Sequence, residues 1–600
     1  MTTASRLGVA FFGLPVAFAL GCSSGPGGAG SIGGSQSSGG IATGGQIGLG
    51  SGSGGAGAAG LGGSSGKSGG GGRTATDASV ADVGGSAAGA GSGGAAGGAK
   101  SAGGATGVGG KGGAGGALVT GGATGSGGSA GGSAGASATG GATGSGGTGG
   151  TGRDAATDNG LSPDGKSDLP AQTNLPAGVS ALFPPPGGQD ICPDPPLRIT
   201  FASPPTLGVA GKIQVLNASG TVVATVDMSA STITDTIGGS SFVVLRQAYV
   251  DGNDAVIYLK QKALSYGQTY YVNVDSGAIK PPSGALAIGD STTWRFTTAA
   301  AKPSSLTAMT VALDSSGQFC TVQGALDVLP ASNTAASTIT INPGQYHEIL
   351  YVSGKSNITL HGQDRKGTVI LGTNNNTQQG SSASTSNRAL AGFRNTNGLT
   401  IENLTIHNLT PQGGSQAEAL AMQGCDKCSV RDADILSLQD TLLWSGRIYA
   451  KNCYVAGNVD FVWGTGAAYF DGCEIRTVGR AGYVVQARNS SSTYGYVFVD
   501  SKITADSGVT GIMLGRIDVS AYPASHVAYI NCQMGSYIAP AGWTVTGGTA
   551  TSALRFWEYQ SVDASGAAID ISMRTGGVQI SATQAASMRD PSVVLAGWQP

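Results

Sequence analysis

From about residue 304 onward, apolar residues come in short runs, broken by polar ones and repeated at intervals of roughly twenty positions. The runs fall at 358–360, 399–401, 404–406, 428–430, 448–450, 468–470, 497–499 and 527–530. Several share one beat of apolar, any, apolar, polar, as in the stretch LTIENLTI at 399–406. No such run buries its own apolar side chains, and hairpin turn signals between them are sparse. The pattern therefore predicts a parallel β-helix, in which each coil buries its face by stacking on the next. One amphipathic helix is expected at 322–329, after a Thr cap and before Pro330.

Ahead of that region the period changes. Residues 190–300 carry alternating runs at 197–201, 212–216, 221–225, 255–259 and 269–274, punctuated by Gly, Asn and Asp at the spacing of a β-sandwich. The segment resembles bacterial Ig-like modules that close on a W-x-F-T-T strand, here Trp294 to Thr298. It holds no catalytic constellation, which leaves a spacer or carbohydrate-contacting role.

Composition separates the rest. Most of the 107 Gly lie before residue 160, in a tract of Gly, Ala, Ser and Thr with too little apolar surface to offset its ordering entropy. Residues 23–180 are thus expected as a long disordered linker, reaching roughly 60–75 Å root-mean-square over its low-complexity part. The Gly62–Gly66 sequence GGSSG matches a nucleophile elbow formally, but no strand or helix can flank it there. The first 22 residues read as an export leader, with Arg6, an apolar run at 9–20 and Ala19-Leu20-Gly21-Cys22. That ending resembles a bacterial lipoprotein box, which would make Cys22 the lipidated first residue. An ordinary secretory signal is the alternative. The expected layout is a leader at 1–22, the linker at 23–180, the sandwich at 181–300 and the β-helix at 304–600, an all-β protein.

A net charge of −2 offers no basic field for nucleic acid, so a polyanion must be held by local Arg or Lys. Eight Cys suit an exported protein without making a disulfide scaffold. Cys425-x-x-Cys428 has no second CxxC or His pair with it, and the four His are scattered, so no zinc or other metal site is expected. Cys453 and Cys473 are about one coil apart. They can pair as a disulfide after export or stand as two stacked buried thiols.

The candidate chemistry lies between Leu436 and Gly464. Asp440 and Asp460 each sit among residues that would build a buried strand, where a lone carboxylate is costly unless paired. They are either a site or a pair of strand-end aspartates. A set of ordered motifs decides for the site: Gly344-Gln345-Tyr346-His347-Glu348, Gln416-Ala417-Glu418-Ala419-Leu420, Gln439-Asp440-Thr441-Leu442, Gly457 to Gly464 (GNVDFVWG) and Leu514-Gly515-Arg516. With Arg555-Phe556-Trp557-Glu558-Tyr559 and the terminal Gly597-Trp598-Gln599-Pro600, these make residues 304–600 resemble the pectin methylesterases. That family consists of right-handed parallel β-helix carbohydrate esterases.

The resemblance implies that Asp460 is the nucleophile on the galacturonate methyl ester, and that Asp440 is the acid that protonates methanol and then the base that activates water. It implies further that Arg516 is the cation beside Asp460, and that Gln416 and Gln439 donate to the oxyanion; the plainer alternatives are a structural ion pair for Arg516 and amides that bond only to the next coil for the two Gln. Trp463, Phe461 and Tyr346 are candidates for the substrate groove. No cofactor is implied. The expected partner is pectin (methylated homogalacturonan), with membrane contact only through Cys22, and the enzyme is expected to act as a monomer. One departure stands out. The family's Pro-Trp after Leu-Gly-Arg is replaced by Ile517-Asp518, so a stacking ring is lost there or supplied by Trp463, Trp543 or Trp557. A non-catalytic pectin-binding surface protein, an esterase for another polysaccharide ester and a pectate lyase remain as alternatives. The last would want a Ca²⁺-binding acid cluster, which the sequence lacks.

Overall fold

The computed structural model describes residues 174–600, apart from 283, 381–384 and 550. The leader, Cys22, the GGSSG match and the Gly-rich tract lie outside the described residues.

From Ala308 onward, parallel pairings sort the strands into three stacks. The first runs from Ala308–Val311 through Ser337–Ile341, Ile358–Gly362, Ala467–Asp471 and Tyr496–Val499 to Arg555–Tyr559. The second runs from Gly344–His347 to Gln533–Met534. The third contains Leu350–Ser353, Ala391–Arg394, Val459–Gly464, Tyr483–Ala487, Met513–Asp518 and Trp543–Thr546. Two long strands, Leu420–Arg431 and Leu442–Lys451, cross from the third stack to the first without a break. The recurring apolar runs thus form a right-handed parallel β-helix, the hand that parallel crossovers almost always take.

In-register stacking puts like on like inside. Phe470, Phe498 and Tyr529 occupy one ladder position in successive coils, with ring centroids 4.5 and 4.8 Å apart. Glu558 comes next on that ladder and is closed by Arg574, whose Nε donates to it at 2.9 Å. The corner between the first and second stacks needs a left-handed residue in every coil. Asn403, Asp432, Asn452, Gly472, Asp500 and Asn531 fill it, with φ between 49° and 60°. Asn and Asp tolerate that conformation best after Gly. Here Asn452 Nδ2 also donates to Asp432 Oδ1 at 2.5 Å, linking corner to corner.

The helix expected at 322–329 forms at Val322–Asp327, capped by Thr321. Glu348 lies buried at its start and accepts from the Val322 and Gln323 amides, both at 2.8 Å. Its motif partner Tyr346 is fully buried, with its hydroxyl on the Asn342 carbonyl at 2.8 Å. A ring enclosed in the coil interior cannot touch a polymer outside, so the placement of Tyr346 in the substrate groove is corrected. The motif builds the first coil instead.

Residues 179–298 form a four-stranded antiparallel sheet and a five-stranded one, antiparallel except where Gly188–Ile191 runs parallel to Arg295–Thr298, around one core that includes Ile199, Val215, Val272, Trp294 and Phe296. This unit is fastened to the β-helix. Cys192 and Cys320 form a disulfide across 128 positions. Asp194 accepts from the Cys320 and Thr321 amides at 3.0 and 2.9 Å and from the Thr321 hydroxyl. The hairpin of Thr232–Ile237 and Ser240–Leu245 sends Ile237, Phe242 and Val244 into the β-helix core. A Cys192→Ser/Cys320→Ser variant should lose about 2–5 kcal/mol, the usual worth of a bridge closing a long loop. The drop in denaturation midpoint against the parent, with no reductant present, measures it.

The other five cysteines among the described residues are free and buried. Cys453 and Cys473 do stack in adjacent coils, with the Cys453 amide 3.4 Å from the Cys473 sulfur, but as thiols. The disulfide alternative for that pair is corrected. Each thiol is spent on packing and on weak bonds, Cys453 Sγ to the Val430 carbonyl at 3.3 Å among them.

Candidate active site

Asp440 and Asp460 lie on neighbouring coils, at the start of the third stack. The Asp440 amide donates to the Val459 carbonyl at 3.0 Å, and Gln439 bridges to Val459. Both aspartates hold the left-handed conformation, with φ of 66° and 47°. At Asp460 the reason is a bulge. Val459 opposes Tyr483 while Val462 opposes Val485, so the strand carries one residue more than its neighbour. The extra residue lets Phe461 and Val462 both enter the interior core. Gly457 makes room for this, since a Cβ there would lie 2.3 Å from that of Phe461. Phe461 is fully buried and holds the bulge in place, which corrects its placement as a substrate contact.

Each carboxylate touches a different arginine. Arg516 Nε donates to both Asp460 oxygens at 2.9 Å, and its Nη2 also bonds Oδ2. Burial works against the Arg516 charge, yet its bonds and attraction to Asp460 hold its pKa above the ordinary value. The guanidinium lies over the Tyr483 ring, 4.7 Å from its centroid.

Asp440 is set differently. Arg388 Nη2 donates to its Oδ2 at 2.9 Å, but that guanidinium is already shared with Glu418. Burial pushes the Asp440 pKa up, the Glu418 charge adds to it, Arg388 opposes, Asp460 adds and Arg488 opposes. The result lies well above the usual carboxylate range. One carboxylate clamped by a countercharge, beside a second that gives up its proton less readily than a free carboxyl, is an arrangement in which a nucleophile and an acid can divide the work.

Gln416 and Gln439, both half-buried, lie on successive coils, the Ala417 amide donating to the Gln439 carbonyl at 3.1 Å and Gln439 bridging to Val459. Gln416 Oε1 accepts from Ser415 Oγ at 3.2 Å, and among the described residues the Gln439 amide has no partner. Neither side chain ladders to the next coil, so both amides are available as donors. Trp463 lies in the floor with Ala389, Ala421 and Leu443 and is 8 % exposed. Arg488 and Arg388 sit over its ring at 4.7 and 5.6 Å.

The rings proposed to replace the family's missing Trp are accounted for. Trp543 is buried with its indole N–H 3.3 Å from Glu558. Trp557 packs on the outer face of the first stack, with the cluster that includes Met588 and Leu595. Ile517 turns into the core, and the Asp518 carboxylate closes a turn with the Ser520 amide at 2.9 Å. The aromatic groups beside the site are Tyr483 and Tyr522, the latter 5.8 Å below Arg488.

Sequence reasoning missed Arg388, Glu418 as a charge, Arg488 and these two tyrosines. The sign that singled out Asp440 was present for Glu418 as well, a lone carboxylate inside the apolar run Ala417 to Met422.

The β-helix has relatives among known proteins. The family profile described as Pectinesterase matches residues 308–590. Pectinesterase 31 of Arabidopsis thaliana is 34% identical over 245 residues, covering 39% of this chain and 75% of that protein. Probable pectinesterase A of Aspergillus niger is 30% identical over 279 residues, covering 45% and 81%. Among solved structures, the pectin methylesterase from carrot is 28% identical, with a TM-score of 0.42 over 48% of this chain and 93% of its own. The pectin methylesterase from Yersinia enterocolitica is 25% identical, with a TM-score of 0.40 over 47% and 100%. With three quarters of a curated relative matched at that identity, this chain belongs to the pectinesterase family.

Proposed function

We propose that the chain hydrolyses galacturonate methyl esters in pectin, releasing methanol, with Asp460 as nucleophile and Asp440 as acid and then base. The observation that carries this reading is the unequal treatment of two adjacent carboxylates: Asp460 is clamped by Arg516, whereas Asp440 is buried beside Glu418.

An Asp460 oxygen attacks the ester carbonyl, and the carbonyl electrons move onto oxygen. The amides of Gln416 and Gln439 donate to that oxyanion, a role worth about 3–4 kcal/mol per donor. Collapse breaks the bond to methoxide, which takes the Asp440 proton and leaves as methanol. The product is an acyl-enzyme, a mixed anhydride on Asp460. The Asp440 carboxylate then takes a proton from water, whose oxygen attacks the acyl carbon. This frees Asp460 and the galacturonate acid.

The leader, lipidation at Cys22 and the tract at 23–180 fit an enzyme exported and tethered at a cell surface, reaching polymeric pectin as a monomer. No helix among the described residues is long and apolar enough to cross a membrane. The test is methanol release from highly methylated pectin by the full chain, because Cys192 and Asp194 tie the N-terminal sheets to the β-helix. Steady methanol release is expected. Pectin binding without methanol from the folded protein would instead support a binding module.

A further inference from the structure

The reaction as laid out leaves a buried ion pair in contact with Asp440 without a part. Arg388 Nε donates to the two Glu418 oxygens at 3.0 and 2.9 Å, and its Nη2 donates to Oε1 at 2.7 Å. The Arg388 side chain is 10 % exposed and that of Glu418 not at all. A pair sealed in this way seldom stabilises a fold more than apolar residues of the same size would. The coil has many buried apolar positions to draw on, yet two charges stand here. Beyond Glu418, the polar group that the guanidinium donates to among the described residues is Asp440 Oδ2, at 2.9 Å.

We propose that Arg388 and Glu418 act together as the positioning and charge-balancing pair for Asp440: the guanidinium fixes Oδ2, leaving Oδ1 to carry the proton, and Glu418 cancels the guanidinium charge that would otherwise strip that proton away. The proposal rests on the reading of Asp440 as the acid. Alone, a guanidinium in hydrogen-bond contact would favour the ionised carboxylate. Paired with Glu418, it supplies direction with almost no net charge, so burial decides and the acid stays loaded.

The charged groups that face Asp440 from the surrounding coils are Glu418, Arg388, Asp460, Arg488 and Arg516. Removing the Glu418 charge makes this set more positive by one, so Asp440 releases its proton at lower pH. The high-pH limb of kcat, where the acid is lost, should move downward by roughly 1–2 pH units in Glu418→Gln. In the double variant Arg388→Met/Glu418→Gln both charges go. Its limb should return close to the parental position while the plateau kcat stays low, because Oδ2 has lost its donor.

A pair that only held the fold together would lower kcat equally at every pH, with the limb fixed in all three proteins. That result, in a Glu418→Gln protein with parental near-ultraviolet circular dichroism, would overturn the proposal. Should Glu418→Gln fail to fold, infrared difference spectra of the parent against Asp440→Asn decide. A protonated carboxyl band assigned to Asp440 at neutral pH is expected, and its absence would overturn the proposal too. Full activity in Asp440→Asn would place the failure with the assignment of the acid and not with the pair.

Discussion

Asp460→Asn should lower the rate of methanol release from highly methylated pectin by about six orders of magnitude, as removal of a covalent nucleophile does elsewhere. The fold should survive it. Asn tolerates the left-handed backbone that the bulge imposes at this position, and its amide oxygen still accepts from Arg516. Arg516, 37 % exposed at its side chain, keeps enough water to bear the loss of its partner's charge. Loss of rate without loss of stability therefore isolates the chemistry. The amide has no charge to attack with, so esters with better leaving groups should be equally inert. A folded variant that keeps more than a few per cent of parental activity would move the nucleophile elsewhere, with Asp440 first in line.

The fold was legible because the β-helix writes its period into the chain. Runs such as 468–470 and 497–499 recur one coil apart, and each falls on a strand of the first stack. The two catalytic candidates were legible because a carboxylate in an apolar run is costly and so stands out. What could not be read was orientation. Phe461 and Trp463 look alike in sequence, yet the bulge at Asp460 turns the first into the interior and leaves the second in the floor of the site. Tyr346 went wrong for the same reason, since a motif residue can serve the coil as well as the substrate.

The clasp at Cys192 and Cys320 was illegible on other grounds. Those residues are 128 positions apart, and pairing among eight cysteines has no local mark. Arg388 belongs to the same class. It precedes an apolar run like many surface arginines, and its burial against Glu418 and Asp440 comes only from coils stacked thirty to fifty positions later.

Asp440→Asn should slow methanol release by about 10²–10⁴-fold, the usual span for a lost general acid–base group, and the size of the loss should depend on what is leaving. Methoxide is a poor leaving group and, on the proposed mechanism, needs a proton from Asp440. A nitrophenyl ester of galacturonate needs none, so Asp460 still attacks and nitrophenolate departs unaided. Hydrolysis of the acyl-enzyme then stalls, because Asn cannot take a proton from water. The expected trace is a burst of nitrophenol stoichiometric with enzyme, then a slow steady state, with the acyl group on Asp460. In Asp460→Asn the same ester should give no burst. Buried Arg388 and Glu418 keep their own pairing in the Asp440 variant, and the Asn side chain can still accept from Nη2. The site should therefore stay in place while its proton chemistry is removed. Equal depression of methyl and nitrophenyl esters, with no burst, would show that Asp440 holds the pocket together without moving a proton.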